Sequence, residues 1–505
     1  MKIAFSAVPV PPAPLSMIQR DYYFYLFASR IKSVLGHLDE TDFSRFQFLE
    51  PVHLGLLALI AYLEEKGHIC SYFAPLSSGS GPDWREEILL QKILHRVEEF
   101  DLIGLSPITA AWPAALRMAR AIKKIRPGVL LAIGGPHAWA RDQEILQNSP
   151  FDLVVRKEGE ATTAELLSAL EHGTPLDTVA GLTYRQNGAI IQNPDRPRLD
   201  RSNLPAPAYR HLEDNFSAEE LKPEKQIMIP ISRVTPATGC SNNCVWCADF
   251  WKKEVSYQNL PDFQEEVNYL RRKRGSRYFY LGTHDFFHDL AAAKQIAAAM
   301  GELAGGEEIH WEAQTRVNPQ VTRQDLKELA RNHCRCLHLG IESGSQELLD
   351  AMGKNILLEE AQRMCEMARE AGLHTHTYWI IGAPYETPHT AMKTIETMRL
   401  WLERDISSSC EINLLVGYPG TPFYENPGEY GITWQEDNYA RYDGRSVPTF
   451  ATRSLTTRDL EYLFQRALDE YCLAMSGKIG SKESIIRELG KRLPNFDPAV
   501  MEAAF

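Results

Sequence analysis

Short apolar runs alternate with longer helix-like stretches over the first 195 residues of the chain. Short runs between turn-forming residues are typical of buried strands, and longer periodic stretches are typical of helices. Their alternation predicts an α/β domain with a parallel sheet and helices on both faces. Ligands of such sheets lie beyond the carboxyl ends of the strands. The predicted strands are Ile3–Val8, Leu102–Leu105, Val129–Ile133 and Leu153–Val155, with a helix over Leu54–Tyr62.

A second alternation of strand and helix patterns occupies residues 228–415. Together with the strand that leads into Cys240, it makes about six strand–helix units. Such units place functional side chains at the carboxyl ends of the strands. The predicted strands are Tyr278–Leu281, Ile309–Gln314, Cys336–Ile341, Thr375–Ile381 and Cys410–Leu415, and the predicted helices include Thr322–Asn332 and Leu358–Ala371.

A proline-rich segment separates the two alternating regions. Before it, Asn187-Gly188 lies between Leu182–Arg185 and Ala189–Ile191 and predicts a hairpin with a type I' turn. The prolines that follow are typical of an extended linker. We therefore divide the chain into a first domain at 1–195, a linker at 196–227, a second domain at 228–415 and a mixed, mostly helical region at 416–505. That last region contains a helix near Arg458–Met475 and is expected to cap the substrate pocket.

Composition narrows the class of protein. A hydrophobic content of 44% and a charged content of 24% are those of an ordinary globular protein. A formal charge of -12 argues against an obligate nucleic-acid partner. No apolar run is long enough to span a membrane, and no apolar signal core precedes the first prolines. The expectation is a cytoplasmic protein without membrane insertion.

Three closely spaced cysteines carry the strongest chemical signal. Cys240, Cys244 and Cys247 have three and two residues between them. This spacing lets three thiolates converge on one cluster and leaves it one ligand short of the usual four. Zinc is the alternative, but structural zinc usually needs a second cysteine pair or histidines at set spacing. A disulfide framework fits worse, because nine unevenly placed cysteines suggest a reducing compartment.

The cysteine run resembles the cluster motif of the radical S-adenosylmethionine (SAM) enzymes, whose fold is a partial (β/α)6 barrel. The resemblance implies a 4Fe–4S cluster on the three cysteines, with the open iron holding SAM. Gly340-Ile341-Glu342-Ser343-Gly344-Ser345 and Ile380-Ile381-Gly382-Ala383-Pro384 are similar to the family's SAM-binding runs. The cofactor-binding residues implied in this half are Trp246, Ala248, Glu342, Ser343 and Gly382, and the whole segment Ala248-Asp249-Phe250-Trp251 is expected to line the pocket. Ordinary pairing of Glu342 with a lysine or arginine is the alternative.

Ordered loops in the first domain resemble those of the cobalamin-binding domain, a Rossmann-like, flavodoxin-like fold that precedes the radical domain in many of these enzymes. The residues implied to contact cobalamin are Ser106, Thr109, Gly134, Gly135, Pro136, His137, Glu158 and Gly159. No Asp-x-His-x-x-Gly occurs, so that motif offers no histidine as lower axial ligand. The alternative is a flavodoxin-like domain that has kept the fold and lost the ligand.

Three further residues are candidates for contacts with substrate or cofactor. His284 and Asp285 follow the second strand of the barrel region and are interpreted as proton-handling or substrate-binding residues. A histidine that only makes hydrogen bonds is the alternative. Arg316 ends the third strand and offers a guanidinium to a carboxylate of cofactor or substrate.

The resemblance as a whole implies a cobalamin-dependent radical SAM methyltransferase. Its reaction is methyl transfer to an unactivated carbon, or to phosphorus, of a small metabolite, with electrons from an external donor such as flavodoxin or ferredoxin. A radical cyclisation, rearrangement or dehydration, with or without cobalamin, is the second hypothesis. A noncatalytic iron–sulfur scaffold is the third. Cobalamin and cluster are expected to face a common cavity, because both domains present their strand ends to it.

Overall fold

The computed structural model describes residues 1–10, 16–35, 53–74, 84–215, 231–248, 251, 254–304, 309–445 and 447–492. Its strands are β1 Lys2–Ala7, β2 Ile69–Phe73, β3 Leu102–Ser106, β4 Leu130–Ile133, β5 Leu153–Val155, β6 Leu182–Gln186, β7 Ala189–Gln192, β8 Ile231–Val234, β9 Ala237–Thr238, β10 Ser256–Tyr257, β11 Tyr278–Leu281, β12 His310–Thr315, β13 Cys334–Glu342, β14 His374–Ile381, β15 Ser409–Leu414, β16 Ile432–Gln435 and β17 Phe450–Thr452.

The helices in the same part of the chain are α1 Met17–Leu35, α2 Leu54–Glu65, α3 Trp84–His95, α4 Trp112–Ile125, α5 Pro136–Ala140, α6 Asp142–Asn148, α7 Glu160–His172, α8 Arg210–Asn215, α9 Leu260–Arg274, α10 Leu290–Ala304, α11 Arg323–Arg331, α12 Gln346–Ala351, α13 Leu358–Glu370, α14 Pro388–Glu403, α15 Pro422–Glu425, α16 Thr457–Ile479 and α17 Lys482–Arg492. No helix in these described ranges is long and apolar enough to cross a membrane.

The first sheet has seven strands in the order β2-β1-β3-β4-β5-β6-β7. Strands β1 to β5 run parallel, and the hairpin β6–β7 continues the sheet antiparallel to β5. The order 2-1-3-4-5 is that of flavodoxin-like sheets. The predicted parallel sheet and hairpin are therefore confirmed. Strand β2 was missed, because it is short, lies at the sheet edge and begins with an Ile69 that is largely exposed.

The second sheet is a half barrel of six parallel strands in the order β15-β14-β13-β12-β11-β8. Each predicted strand of this region is present, with bounds that differ by at most two residues. Trp311 and Trp379 are fully buried in its core. The predicted α/β fold, a flavodoxin-like domain followed by a partial six-stranded barrel, is confirmed.

Helix α1 covers the open edge of the half barrel, although it belongs by sequence to the first domain. It packs against α16 and β15. The backbone N–H of Ile412 in the edge strand β15 donates to the Tyr22 hydroxyl at 2.9 Å. Arg30 reaches the Glu312 carboxylate inside the barrel at 2.5 Å. An open sheet edge carries unpaired backbone groups, and α1 and α16 shield them here. The sequence pattern did not predict this helix, and the domain boundaries stay a prediction.

Candidate functional site

The cysteine loop begins where strand β8 ends. Strand β9 pairs antiparallel with β10, so the chain between them leaves and returns to the barrel mouth as an arm. Gly239 at its base has φ 84°, and a Cβ there would lie 1.9 Å from the carbonyl oxygen of Glu254. Only glycine fits such a position. The Gly239 N–H donates to Nδ1 of His284 at 3.1 Å, which ties the arm to the end of β11.

The three cysteines of this arm stand at the boundary between core and cavity. Cys244 is buried, and Cys240 and Cys247 are partly exposed.

Neighbouring segments hold the cysteine arm in place. A guanidinium nitrogen of the buried Arg316 lies 3.6 Å from Sγ of Cys244 and donates to it. Val245 accepts from the N–H of Phe423 at 3.2 Å. Trp246 packs against the main hydrophobic core, and Ala248 lines the interdomain cavity described below. Residues 249 and 250 of the predicted cofactor-lining segment lie outside the described residues.

Glu342 stands at the end of β13 in the left-handed region, with φ 75°. Its Oε1 accepts from Nζ of Lys354 at 2.6 Å, and both side chains are largely buried. A Cβ on Gly340 would lie 2.5 Å from Glu342 Oε1 and 2.8 Å from Lys354 Nζ, so the glycine leaves room for this pair in its present position. Lys354 was not predicted, because it lies in the turn after α12, outside any recognised motif. The Glu342 carboxylate is therefore already paired with one positive charge, the Lys354 ammonium, when no ligand is bound.

The other SAM-motif residues make internal contacts. Ser343 is fully buried, and its hydroxyl lies 2.9 Å from that of Thr394 in α14. Gly382 has φ 89° and donates its N–H to the carboxyl of Glu386. Glu386 is 1% exposed, and burial raises its pKa to about 8. These residues shape the ends of β13 and β14, and their predicted contacts with SAM stay a prediction.

His284 and Asp285 separate at the end of β11. His284 lines the cavity between the domains. Asp285 is not in that lining, and it accepts from the Thr315 hydroxyl at 3.2 Å and from the Arg316 N–H at 3.3 Å. Asp285 thus joins the ends of two adjacent strands. Its predicted role in proton handling stays a prediction, and of the two residues only His284 faces the cavity.

A cavity of about 570 Å³ lies between the strand ends of the two domains. From the first domain it is lined by Ser106, Gly134, Gly135, Pro136, Glu158 and Gly159. From the second domain it is lined by Thr238, Gly239, Cys247, Ala248, Trp251 and His284. The expected common cavity is therefore present, and one of the three cysteines, Cys247, lies on its wall. No residue from the described part of 416–505 lines this cavity, and the capping of the substrate pocket by that region stays a prediction.

Thr109 and His137 lie apart from this cavity. Thr109 is buried in a short helical turn after β3. His137 is 1% exposed and packs between Trp112, at 5.1 Å between ring centres, and Tyr439, at 4.9 Å. Burial lowers the pKa of His137 to about 3. Here the two residues belong to the packing between the first domain and the 416–445 segment, and their predicted contact with cobalamin stays a prediction.

Sequence reasoning missed two residues of the cavity wall, Glu160 and His53, whereas a third residue of the wall, Trp251, belongs to the segment that was expected to line the pocket. Trp251 lies under Lys157 and Arg198, whose charged groups are 5.0 and 5.1 Å from its ring centre. Glu160 is 8% exposed, its Oε2 has no partner, and burial raises its pKa to about 7. His53 precedes α2 and contacts Ser106. The Glu-Gly-Glu run was a signal for Glu160, whereas no motif marked His53.

The wall fits a large ligand with hydrogen-bonding groups. The Phe5 ring packs directly against Gly104, and a Cβ on Gly104 would lie 2.7 Å from that ring. Gly135 has φ 90°, and its Cβ would approach the Ser106 hydroxyl at 3.0 Å. These glycines bring backbone to the cavity surface. The orphaned carboxyl oxygen of Glu160 supplies a polar group that a bound amide-rich ligand such as cobalamin is able to satisfy.

Comparison with known proteins agrees with this geometry. Residues 234–398 match the model of the Radical SAM superfamily, and residues 49–167 match that of the B12 binding domain. The uncharacterized methyltransferase PH0819 of Pyrococcus horikoshii is 28% identical over 77% of this chain and 82% of its own length. The anaerobic magnesium-protoporphyrin IX monomethyl ester cyclase of Rubrivivax gelatinosus is 25% identical over 60% of this chain and 54% of its own.

A solved structure has the same fold along most of the chain. The radical S-adenosylmethionine methyltransferase TsrM from Kitasatospora setae superposes with a TM-score of 0.63 at 13% identity, over 94% of this chain and 89% of that one. The chain therefore combines a B12-binding domain with a radical SAM domain that follows it. A 4Fe–4S cluster, SAM and cobalamin are the cofactors of this domain pair.

Proposed function

We propose that this protein is a cobalamin-dependent radical SAM methyltransferase that methylates an unactivated carbon, or phosphorus, of a small metabolite. The observation that carries the proposal is the cavity shared by the strand ends of both domains. Cys247 and Ala248 from the cluster arm and Gly134 and Gly135 from the first domain line the same space. When bound, the cluster supplies the electron that cleaves SAM, and cobalamin supplies the methyl group.

The cysteine arm is proposed to hold the cluster. Arg316 lies within donating distance of the Cys244 sulfur, and N–H donors stabilise negative charge on a thiolate. The Arg316 guanidinium also bonds the Lys354 carbonyl, so it links the arm to the Glu342–Lys354 pair. Arg316 therefore acts here as a positioning group. This differs from the sequence-based interpretation, in which it binds a carboxylate of cofactor or substrate.

Glu342 is proposed to take the ammonium of SAM. It is a largely buried carboxylate at a strand end, held by a single short contact to Lys354. A carboxylate in that setting binds a second cation through charge-assisted hydrogen bonds. Because Lys354 already pairs with Glu342, the site stays neutral before SAM arrives. The ordinary ion pair and the SAM contact are thus compatible interpretations of the same carboxylate.

His284 is proposed to face the reacting groups. Its Nδ1 accepts from Gly239, so in the neutral ring the proton is on Nε2. The ring itself lines the cavity. The external electron donor, a flavodoxin or ferredoxin, is part of the proposal and is tested by replacing dithionite with either reduced protein.

The test of this function is product analysis with anaerobically reconstituted protein, cobalamin, SAM and a reductant. Reductive cleavage of SAM to 5'-deoxyadenosine is expected for the native chain and is expected to vanish in Cys240→Ala, Cys244→Ala and Cys247→Ala, together with the cluster absorbance. Cys472→Ala is the matched control, because Cys472 is partly exposed as Cys240 and Cys247 are and lies outside the arm. Full cleavage activity in any triad variant would refute the site assignment.

A second candidate is a radical cyclisation or rearrangement on the same two domains. This candidate is supported by the similarity to the magnesium-protoporphyrin cyclase. The two reactions differ in their products. Methylation by this class yields S-adenosylhomocysteine together with deoxyadenosine, whereas the second candidate yields deoxyadenosine without S-adenosylhomocysteine. Absence of any SAM cleavage would instead support a noncatalytic scaffold.

A further inference from the structure

His53 lies between two elements of the cavity wall. It precedes α2, and its Nδ1 accepts from the N–H of Leu56 at 3.2 Å, which caps the first turn of that helix. Its Nε2 lies 3.0 Å from the Ser106 hydroxyl oxygen at the end of β3. Both His53 and Ser106 line the interdomain cavity. The ring therefore connects the start of one helix to the residue predicted to contact cobalamin.

The positions of the ring protons follow from these two contacts. The Leu56 N–H donates to the His53 carbonyl oxygen at 2.9 Å and also to Nδ1 at 3.2 Å, and the second contact favours a lone pair on Nδ1. Burial lowers the pKa of His53, so the ring is neutral and carries its one proton on Nε2. Nε2–H then donates to the Ser106 oxygen. Two consequences follow: the Ser106 O–H is left to donate to a ligand, and Nε2 has no lone pair to give to a metal.

Ser106 is also fixed from the opposite side. Gly135, after β4, adopts φ 90°, and a Cβ there would lie 3.0 Å from the Ser106 hydroxyl oxygen and 3.2 Å from the Pro107 carbonyl oxygen. The backbone of the β4 loop thus packs closely around Ser106. Between this loop and the His53 ring, the hydroxyl has a defined position at the cavity surface.

We propose that His53 is a positioning residue that orients the Ser106 hydroxyl as a hydrogen-bond donor to an acceptor atom of the bound corrinoid, and that His53 is not itself a cobalt ligand. The inference rests on the proposed function for the identity of the ligand. His53 thus lines the cobalamin cavity although the chain has no Asp-x-His-x-x-Gly motif. Both of its ring nitrogens are engaged in hydrogen bonds within the protein.

The first experiment measures binding of hydroxocobalamin to the full chain by equilibrium dialysis. Ser106→Ala and His53→Asn are each expected to raise the Kd about 3- to 10-fold, the usual worth of one hydrogen bond. Asparagine is a good N-cap, so His53→Asn keeps the helix start while removing the reach to Ser106. The double variant is expected to bind no more weakly than the weaker single variant, because both changes remove one interaction.

Controls separate folding from positioning. Thermal unfolding of the cobalamin-free proteins should remain cooperative in His53→Asn, with a midpoint lowered by no more than a few degrees. A native Kd in His53→Asn, or fully additive losses in the double variant, overturns the inference. No cobalamin binding by the native chain overturns the proposed function and this inference together, whereas equal affinities overturn the inference alone.

The second experiment asks directly whether a histidine ligates cobalt. Electron paramagnetic resonance of the chain loaded with cob(II)alamin is recorded with natural and with nitrogen-15 histidine. The expected spectra are identical, because no histidine nitrogen is bonded to the metal. A change of the nitrogen superhyperfine pattern on histidine labelling, lost again in His53→Asn, would place His53 on cobalt and contradict the proposal.

Discussion

Replacement of Glu386 by glutamine should stabilise the protein, and the gain should grow with pH. Glu386 is 1% exposed, directly before helix α14, and accepts from the N–H of Gly382. Its second carboxyl oxygen has no partner. Burial raises its pKa from 4.5 to about 8, so the folded protein keeps the carboxyl protonated near neutral pH. Glutamine has the same shape, keeps the acceptor oxygen and carries no proton to lose.

The sign and size of the effect follow from proton linkage. The raised pKa means that the folded state holds a proton that the unfolded state releases above pH 4.5. The stability due to this proton is fully present below pH 4.5 and is lost as the pH rises toward 8. Each pH unit in this window is worth about 1.4 kcal/mol. The advantage of Glu386→Gln over the native chain should therefore be near zero at pH 4.5, about 3 kcal/mol at pH 7 and about 4 kcal/mol at pH 8.

The assay is urea unfolding of the cofactor-free protein at several pH values, followed by tryptophan fluorescence. Trp379 and Trp401, which lie 5.3 Å apart in β14 and α14, report on the region directly. Glu396→Gln, at an exposed position on the same helix, is the matched control and should show no pH-dependent gain. A gain in Glu386→Gln that is constant from pH 5 to pH 8, or a loss at pH 8, would refute the reasoning.

Further predictions concern the buried ion pairs and the cavity wall. Glu342→Gln leaves the buried Lys354 without its counter-charge and should lower the free energy of unfolding by about 3–5 kcal/mol, measured with urea; an unchanged value would contradict the buried pair. Burial alone would raise the pKa of Glu312, but Arg30 holds it well below its usual range. Arg30→Met should therefore cost about 3–5 kcal/mol at neutral pH and less in acid, where Glu312 becomes protonated. Gly135→Ala adds strain of about 1–3 kcal/mol and should weaken hydroxocobalamin binding at least about 5-fold by dialysis.

Local patterns predicted most of the two sheets. Buried strands such as Leu153–Val155 and Tyr278–Leu281 read as continuous apolar or aromatic runs, because both faces of a parallel strand are covered. The cavity lies at the carboxyl ends of the strands, as the loops that follow the strands in the sequence indicated. The hydrophobic periods that distinguish strands from helices depend only on residues close together in the chain, so a single sequence is enough to predict these elements.

Contacts between distant segments could not be predicted in the same way. Helix α1 pairs Tyr22 with a strand 390 residues later, and nothing in the local pattern of α1 names that partner. Ser343 follows the family motif, yet its hydroxyl is bonded to Thr394. His137 follows the predicted glycine loop but is packed against Tyr439 from the C-terminal region. For Ser343 and His137 a motif fixes the place in the chain, and packing decides where the side chain points.

The most direct test of the central claim is the product balance of a single assay. Anaerobically reconstituted protein with cobalamin, SAM, a reductant and a methyl-accepting metabolite should yield one equivalent each of 5'-deoxyadenosine and S-adenosylhomocysteine per methylated product. Deoxyadenosine formed without S-adenosylhomocysteine, alongside a modified but unmethylated product, would contradict methyl transfer.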